Sequence, residues 1–299
     1  MSPSRWEKVL NERDWLLADG ATGTNYFAMG LQSGDSPELW NIDHPDRVAS
    51  LHRQFVESGA DIILTNSFGG SAYRLKLHQA ESRVRELNYA AAQIARGIAD
   101  VSERQVIIAG SIGPTGEILE PIGSLSIADA TAAFEEQAAA LVDGGVDIIW
   151  LETMSSKEEL QAAGVGAAKA EAPIVATMTF DTNGSTMMGV PPAQLVDIYH
   201  ATVPRLAAYG ANCGVGAADL IGTISAMRRH SSPQDILVAK GNCGIPQFVY
   251  GEIKYSGTPE LMAEYACLAR DIGARIIGGC CGTTPTHLAA MRDALVAHQ

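Results

Sequence analysis

The sequence lacks a surplus of basic residues: 21 Lys and Arg stand against 34 Asp and Glu, a net charge of −13. Phosphate backbones are gripped by lysine and arginine excess, so nucleic acid is excluded as the main partner. A cationic small molecule is compatible with the acidic balance. The N-terminus MSPSRWEKVL has no apolar signal core, and no apolar run approaches the roughly 20 residues of a membrane span. A cytoplasmic protein without membrane contact is the expectation. Linkers rich in Pro, Gly or Ser are missing as well, so residues 1–299 read as one domain. Cysteine is scarce: five residues, an odd number without framework spacing. In a reducing compartment that pattern points to ligands or nucleophiles rather than disulfides.

What is present is a repeat. Short apolar runs, WLLAD (15–19), DIILT (61–65), VIIAGS (106–111), DIIWL (147–151), IVATMT (174–179), residues 207–211, ILVAK (236–240) and the run from Ile276, alternate with helical spacing. Near-continuous apolar strands joined by crossover helices imply parallel pairing covered on both faces. Eight such units predict an α/β fold, a (β/α)8 TIM barrel with its active site at the C-terminal strand ends. A doubly wound sheet should carry a glycine-rich phosphate loop after its first strand, which DGATGT imitates only loosely.

The strand ends are therefore the candidate site: Asp19, Asn66, Ser111, Glu152, Asp181, Cys213, Asn242 and the pair Cys280–Cys281. In RIIGGCCGTTPTHL (275–288) two glycines let the backbone bend, and Thr284 caps a helix whose first residue is Pro285. Neighbouring side chains on a flat strand point to opposite faces, but flanking glycines let both thiols converge. Cys213 closes strand six and the pair closes strand eight, with one strand between them. Three thiolates suit zinc (Zn2+), which binds sulfur at about 2.3 Å and keeps a fourth position open in catalytic sites. Cys243 is the rival for that position, Cys267 reads as a packing residue, and a vicinal disulfide between Cys280 and Cys281 is the competing state of the pair.

An open zinc with three thiolates is a good host for another thiol, holding it as thiolate at neutral pH. Its anionic charge favours a cationic donor, so alkyl transfer from an onium compound is the natural reaction. Asp19 and Glu152 are placed to hold an ammonium group, and the backbone amides of Gly20–Ala21 and Thr65–Asn66 to hold a carboxylate. Asp181 in DTNG reads as a turn residue.

These residues resemble the homocysteine S-methyltransferase family. The matching stretches are LLADGATGT (16–24), LTNSFGG (64–70), WLET (150–153), GANCGVGA (210–217) and GGCCGTTPTHLAAM (278–291). The resemblance implies Cys213, Cys280 and Cys281 as zinc ligands and Asp19, Gly20, Thr65 and Glu152 as homocysteine contacts. Within the family the whole string is most similar to the short bacterial betaine–homocysteine methyltransferases, which implies betaine as methyl donor. S-methylmethionine, dimethylsulfoniopropionate or a separate methyl-corrinoid protein are the alternative donors. A self-contained cobalamin-dependent enzyme is not expected, since the chain ends eight residues after Met291. Two aromatic positions of the animal betaine enzymes read here as Gly69 and Ser36. Tyr26, Phe68, Trp40 and Tyr73 are the aromatics expected around an onium, and His44, His52 and His78 are read as surface or helix residues. Association through the outer helices into a homo-oligomer is expected.

Overall fold

A computed structural model describes residues 4–249 and 252–298. In chain order its first half contains α1 (Arg5–Glu12), β1 (Leu16–Leu17), α2 (Gly23–Ala28), α3 (Trp40–Asp43), α4 (Pro45–Glu57), β2 (Ile62–Leu64), α5 (Ala72–Leu75), α6 (Val84–Asp100), β3 (Ile107–Ile112) and α7 (Ile127–Asp143). Then come β4 (Ile148–Met154), α8 (Lys157–Ala168), β5 (Ile174–Met178), α9 (Pro192–Thr202), β6 (Leu206–Cys213), α10 (Ala217–Arg228), β7 (Leu237–Gly241), β8 (Pro246–Val249), β9 (Glu252–Tyr255), α11 (Pro259–Asp271), β10 (Ala274–Gly279) and α12 (Pro285–Ala297). Eight strands form one parallel sheet in the order β1-β10-β7-β6-β5-β4-β3-β2. The ends meet through the Ala18–Ile62 bridge, with the Asp19 N–H donating to Ile62 O at 3.0 Å and the Asp61 N–H to Leu17 O at 2.7 Å. The result is the (β/α)8 barrel that the eightfold repeat predicts.

The period of two along each strand divides the core. Leu16, Ala18, Ile62, Leu64, Ile107, Ala109, Ile148, Trp150, Val175, Ala208, Val238 and Ile276 fill the barrel interior. Their sequence neighbours Leu17, Ile63, Ile108, Ile149, Ala176, Ala239 and Ile277 face outward and pack under the helices. Because both faces are buried, the strands read as unbroken apolar runs.

Helix α1 and the β8–β9 hairpin are among the features with no counterpart in the repeat. Helix α1 inserts Trp6, Val9 and Leu10 among the interior residues and plugs the end where the strands begin. Its start is set by a capping box: the Glu7 N–H donates to Ser4 Oγ at 3.2 Å and the Ser4 N–H to Glu7 Oε2 at 2.7 Å. The guanidinium of Arg275, at the start of β10, holds the helix by donating to the carbonyls of Leu10 and Arg13. At the opposite end, β8 and β9 form an antiparallel hairpin in the connection between β7 and α11. Thr284 caps α12 as expected, its hydroxyl 2.7 Å from His287 Nδ1.

Candidate active site

Three sulfurs converge at the C-terminal end of the barrel. Cys213 Sγ lies 2.9 Å from Cys280 Sγ and 3.8 Å from Cys281 Sγ, and the trio falls within 4.8 Å of one another. Local backbone makes this convergence. A side chain on Gly279 would stand 2.2 Å from Thr283, and Gly282 takes φ +81° with the Tyr255 ring packed where a Cβ would be, so the chain turns sharply enough to bring both adjacent thiols to one side. Cys213 itself adopts φ +57° and Thr153, at the end of β4, φ +63°. For residues with side chains this left-handed backbone costs about 1–2 kcal/mol each. Asn212 secures the strained pair, accepting from the Thr153 N–H at 2.9 Å and donating to Thr153 Oγ1 at 2.7 Å, while its amide nitrogen lies 3.9 Å from Cys280 Sγ. Asn242 joins the two cysteine loops, accepting from the Cys281 N–H at 3.0 Å and donating to Gly214 O at 2.7 Å.

Cys243 is not a member of the set. Its sulfur is buried against Gly257, and its N–H donates to Cys281 O at 2.9 Å, so it supports the loop through the backbone. Cys267 lies on α11, half-buried, and all five cysteines are free in this structure. Thiol hydrogen bonds from Cys213 and Cys280 pull Cys281 down to about 3 against burial, and hydrogen bonding to its partners pushes Cys213 well above the ordinary thiol value.

Beside the sulfurs lies a buried polar floor. Asp19 Oδ2 accepts from the Leu64 N–H at 2.7 Å, and Oδ1 stands 3.3 Å from Lys240 Nζ without an aligned hydrogen bond. Glu152 Oε1 accepts from Ser111 Oγ at 2.5 Å. Burial raises both carboxylates; for Glu152, where the nearby Cys280 and Asp19 add to it and Lys240 and Ser111 oppose it, the value reaches about 7. Burial works against the charge on Lys240, but Asp19, Cys280 and Glu152 together lift it above the ordinary lysine value. Lys240 and Ser111 hold this floor together. Lys240 escaped the candidate set although its signal, a charge closing the apolar run ILVAK, is the one that singled out Asp19 and Glu152.

Glu152 reaches the cavity over the sulfurs, whereas Asp19 is 1% exposed and lies behind that lining, and two of the four expected amides do not face outward. The Ala21 N–H donates to Thr283 O at 3.1 Å and the Thr65 N–H to Ala109 O at 2.9 Å, and the Thr65 hydroxyl is tied to Ser67 Oγ at 2.6 Å. The Asn66 side chain is turned toward the 37–41 segment, donating to Pro37 O at 2.7 Å. Asp181 is exposed and accepts from the Thr182 hydroxyl in a turn.

A cavity of about 480 Å3 opens over the sulfurs, and Gly20, Thr65, Asn66, Glu152 and Lys240 share its lining with the three cysteines. The expected aromatics are mostly elsewhere. Tyr26 and Trp40 are buried against each other with ring centroids 5.3 Å apart, consumed by the need to seal the core under the loop, and neither they nor Tyr73 line the cavity. Phe68 does, joined by Phe27 and by Tyr255 of the hairpin. Among the histidines, His44 is exposed, His52 is buried in α4, and His78 lines the cavity.

The homocysteine S-methyltransferase family model matches residues 16–295. Methionine synthase of Mycobacterium tuberculosis is 31% identical over 94% of this chain, and that of Mycobacterium leprae 28% over 91%; the chain spans 24% of the length of each. The metallated homocysteine methyltransferase MmuM of Escherichia coli superposes with a TM-score of 0.81 at 23% identity, over 97% of this chain and 99% of that one. The match along nearly the whole sequence and the shared barrel lead to one conclusion: the chain belongs to the homocysteine S-methyltransferase family.

Proposed function

We propose that the protein transfers a methyl group from a small onium donor, betaine in the first instance, to homocysteine, with zinc held by Cys213, Cys280 and Cys281. The observation that carries this reading is the convergence of three sulfurs on one cavity beside buried carboxylates. The donor set fits the metal. Tetrahedral zinc with Zn–S of about 2.3 Å separates its sulfurs by about 3.8 Å; the Cys213–Cys281 distance of 3.8 Å matches, and Cys280, 2.9 Å from Cys213, would move outward by roughly 1 Å to join them. Bound there, zinc would supply a lowered thiol pKa, so that homocysteine reacts as thiolate at neutral pH.

The remaining work falls to the chain's own groups. Glu152 receives the homocysteine ammonium, with Asp19 held behind the lining beside Lys240; the Gly20 and Asn66 amides receive its carboxylate. Lys240 keeps the floor from becoming too negative to bind an anion-bearing substrate. The homocysteine thiol gives its proton to solvent, and its sulfur lone pair forms the new S–CH3 bond in line with the breaking bond. The C–N pair stays on nitrogen, which leaves as dimethylglycine when betaine is the donor, or on sulfur as a thioether when a sulfonium is. No general acid is needed, and the donor loses its positive charge as the nucleophile loses its negative one.

A second reading draws support from the relatives named methionine synthase, of which this chain spans 24%: a homocysteine-methylating unit fed by a methyl-corrinoid protein. Methionine formation from homocysteine should be measured with betaine, dimethylsulfoniopropionate, S-methylmethionine and a methylated corrinoid protein in parallel. Turnover with betaine supports the first reading. Turnover with a sulfonium alone keeps the mechanism and changes the donor, and turnover with the corrinoid protein alone replaces the reading by the second.

A further inference from the structure

Besides the exposed Asp35, the lining of the cavity carries two charges that the floor does not explain. Glu38, on the turn Pro37–Leu39, is 5% exposed and lines the cavity. Its Oε1 accepts from the Gly69 N–H at 2.6 Å and its Oε2 from Ser36 Oγ at 2.6 Å, yet among the described residues no cation pairs with it. A carboxylate withdrawn from water without a counter-charge is costly, and two hydrogen bonds offset only part of that cost. Phe68 precedes Gly69, whose N–H Glu38 accepts, and its ring presents a partly exposed face to the same cavity, packed against Gly113 so closely that a Cβ there would stand 2.6 Å away. Arg74, on α5, also lines the cavity, its guanidinium lying over Gly116. Its side chain makes no ion pair or hydrogen bond among the described residues, which leaves five donors in a fork that matches a carboxylate.

An unpaired anion beside an aromatic face and an unpaired guanidinium in one cavity are complementary to a ligand that carries both signs. We propose that this wall selects the methyl donor as an inner salt: Glu38 and Phe68 receive the onium centre, and Arg74 receives the donor's carboxylate. Ser36 and Gly69 have a role in this arrangement. The Ser36 hydroxyl orients Glu38, and a side chain on Gly69 would come within 2.9 Å of Glu38 Oε1. The inference rests on the onium reading above and goes beyond it by assigning the donor's two ends.

The test uses the zinc-loaded protein and matched donors: betaine against choline, which keeps the trimethylammonium and lacks the carboxylate, and dimethylsulfoniopropionate against its methyl ester. The wild type should prefer the carboxylate-bearing member of whichever pair it uses by at least tenfold in kcat/KM. Arg74→Ala should raise KM for that donor about 10- to 100-fold, leave KM for homocysteine in place and abolish the preference, with Arg74→Lys recovering part of it. Glu38→Gln should raise KM for both members of the pair, with zinc content and circular dichroism unchanged. Calorimetric titration of dimethylglycine, itself an inner salt, provides a binding readout that Arg74→Ala should weaken by the same factor. Onium turnover without a carboxylate preference, or an Arg74→Ala effect on homocysteine rather than on the donor, overturns the assignment while the function stands. Absence of turnover with every onium removes the function, and unaltered dimethylglycine binding by Arg74→Ala then removes the assignment as well.

Discussion

At the scale of single residues, the site combines two kinds of side chain. The sulfurs stand at the ends of β6 and β10, held by backbone turns rather than by the core. Replacing Cys280 by Ala is therefore expected to leave the circular dichroism spectrum intact while zinc stoichiometry, measured by elemental analysis, falls from one toward zero and methionine formation is lost. A correctly loaded, active variant would remove Cys280 from the proposed ligand set. Glu152 belongs to the other kind, a carboxylate buried in the floor. Glu152→Gln keeps its shape and removes its charge, so homocysteine KM should rise about 10- to 100-fold, equivalent to about 1.4–2.7 kcal/mol, as expected for a hydrogen bond to a charged group. The thiols and both acids were legible as strand-end residues. Lys240 carried the same signal, whereas the burial of Tyr26 and Trp40 did not, because an aromatic on a loop looks the same in sequence whether it faces a cavity or closes the core.

At the scale of elements, the hairpin β8–β9 and the turn after β10 depend on each other. Tyr255 occupies the space that a side chain on Gly282 would need, and Gly282 sits at φ +81°. Gly282→Ala meets both obstacles: a left-handed backbone costing about 1–2 kcal/mol and a clash 2.3 Å from the Tyr255 ring. The expected outcome is weaker zinc retention in a chelator competition, with a modest loss of thermal stability. Retention equal to wild type would mean that the turn does not position Cys281. The hairpin was invisible in the repeat because its residues neither alternate cleanly nor form an apolar run. Helix α1 did have a readable signal, Ser4 followed three residues later by Glu7, but its destination in the barrel interior is a tertiary fact.

At the scale of the whole molecule, chemistry and stability occupy opposite ends of the barrel. Asp61, at the end where the strands begin, is 1% exposed, pairs with Arg13 at 2.5 Å and Arg104 at 3.0 Å, and accepts from the Leu17 N–H at 3.0 Å. Asp61→Ala leaves that N–H and two guanidinium groups without their acceptor, so denaturant unfolding should show a loss of roughly 3 kcal/mol while kcat of the folded fraction stays near wild type. His52 makes one contribution to behaviour in acid. It is buried in α4 with no partner for Nε2, and burial lowers its pKa from 6.5 to about 4. Above pH 6.5 it is neutral whether the chain is folded or not. Between pH 6.5 and 4 the unfolded chain takes up a proton that the folded chain refuses, so stability falls by roughly 3 kcal/mol across that window. His52→Leu should flatten the decline there in pH-dependent thermal melts, and a curve parallel to wild type would exclude His52 as its cause.

The sequence by itself determined the barrel, because strands buried on both faces must be apolar throughout and each helix between them must present an apolar side, a pattern that local composition records. It also determined which polar groups end the strands, and so Cys213, Cys280, Cys281, Asp19 and Glu152. Tertiary structure alone decided what those groups meet: the Lys240–Asp19 pair, the exclusion of Cys243 from the sulfur set, and the gathering of Glu38, Phe68 and Arg74 on one wall. Such juxtapositions depend on the path of loops between strands, where no period links one residue to the next, and on which side chains the core has already claimed.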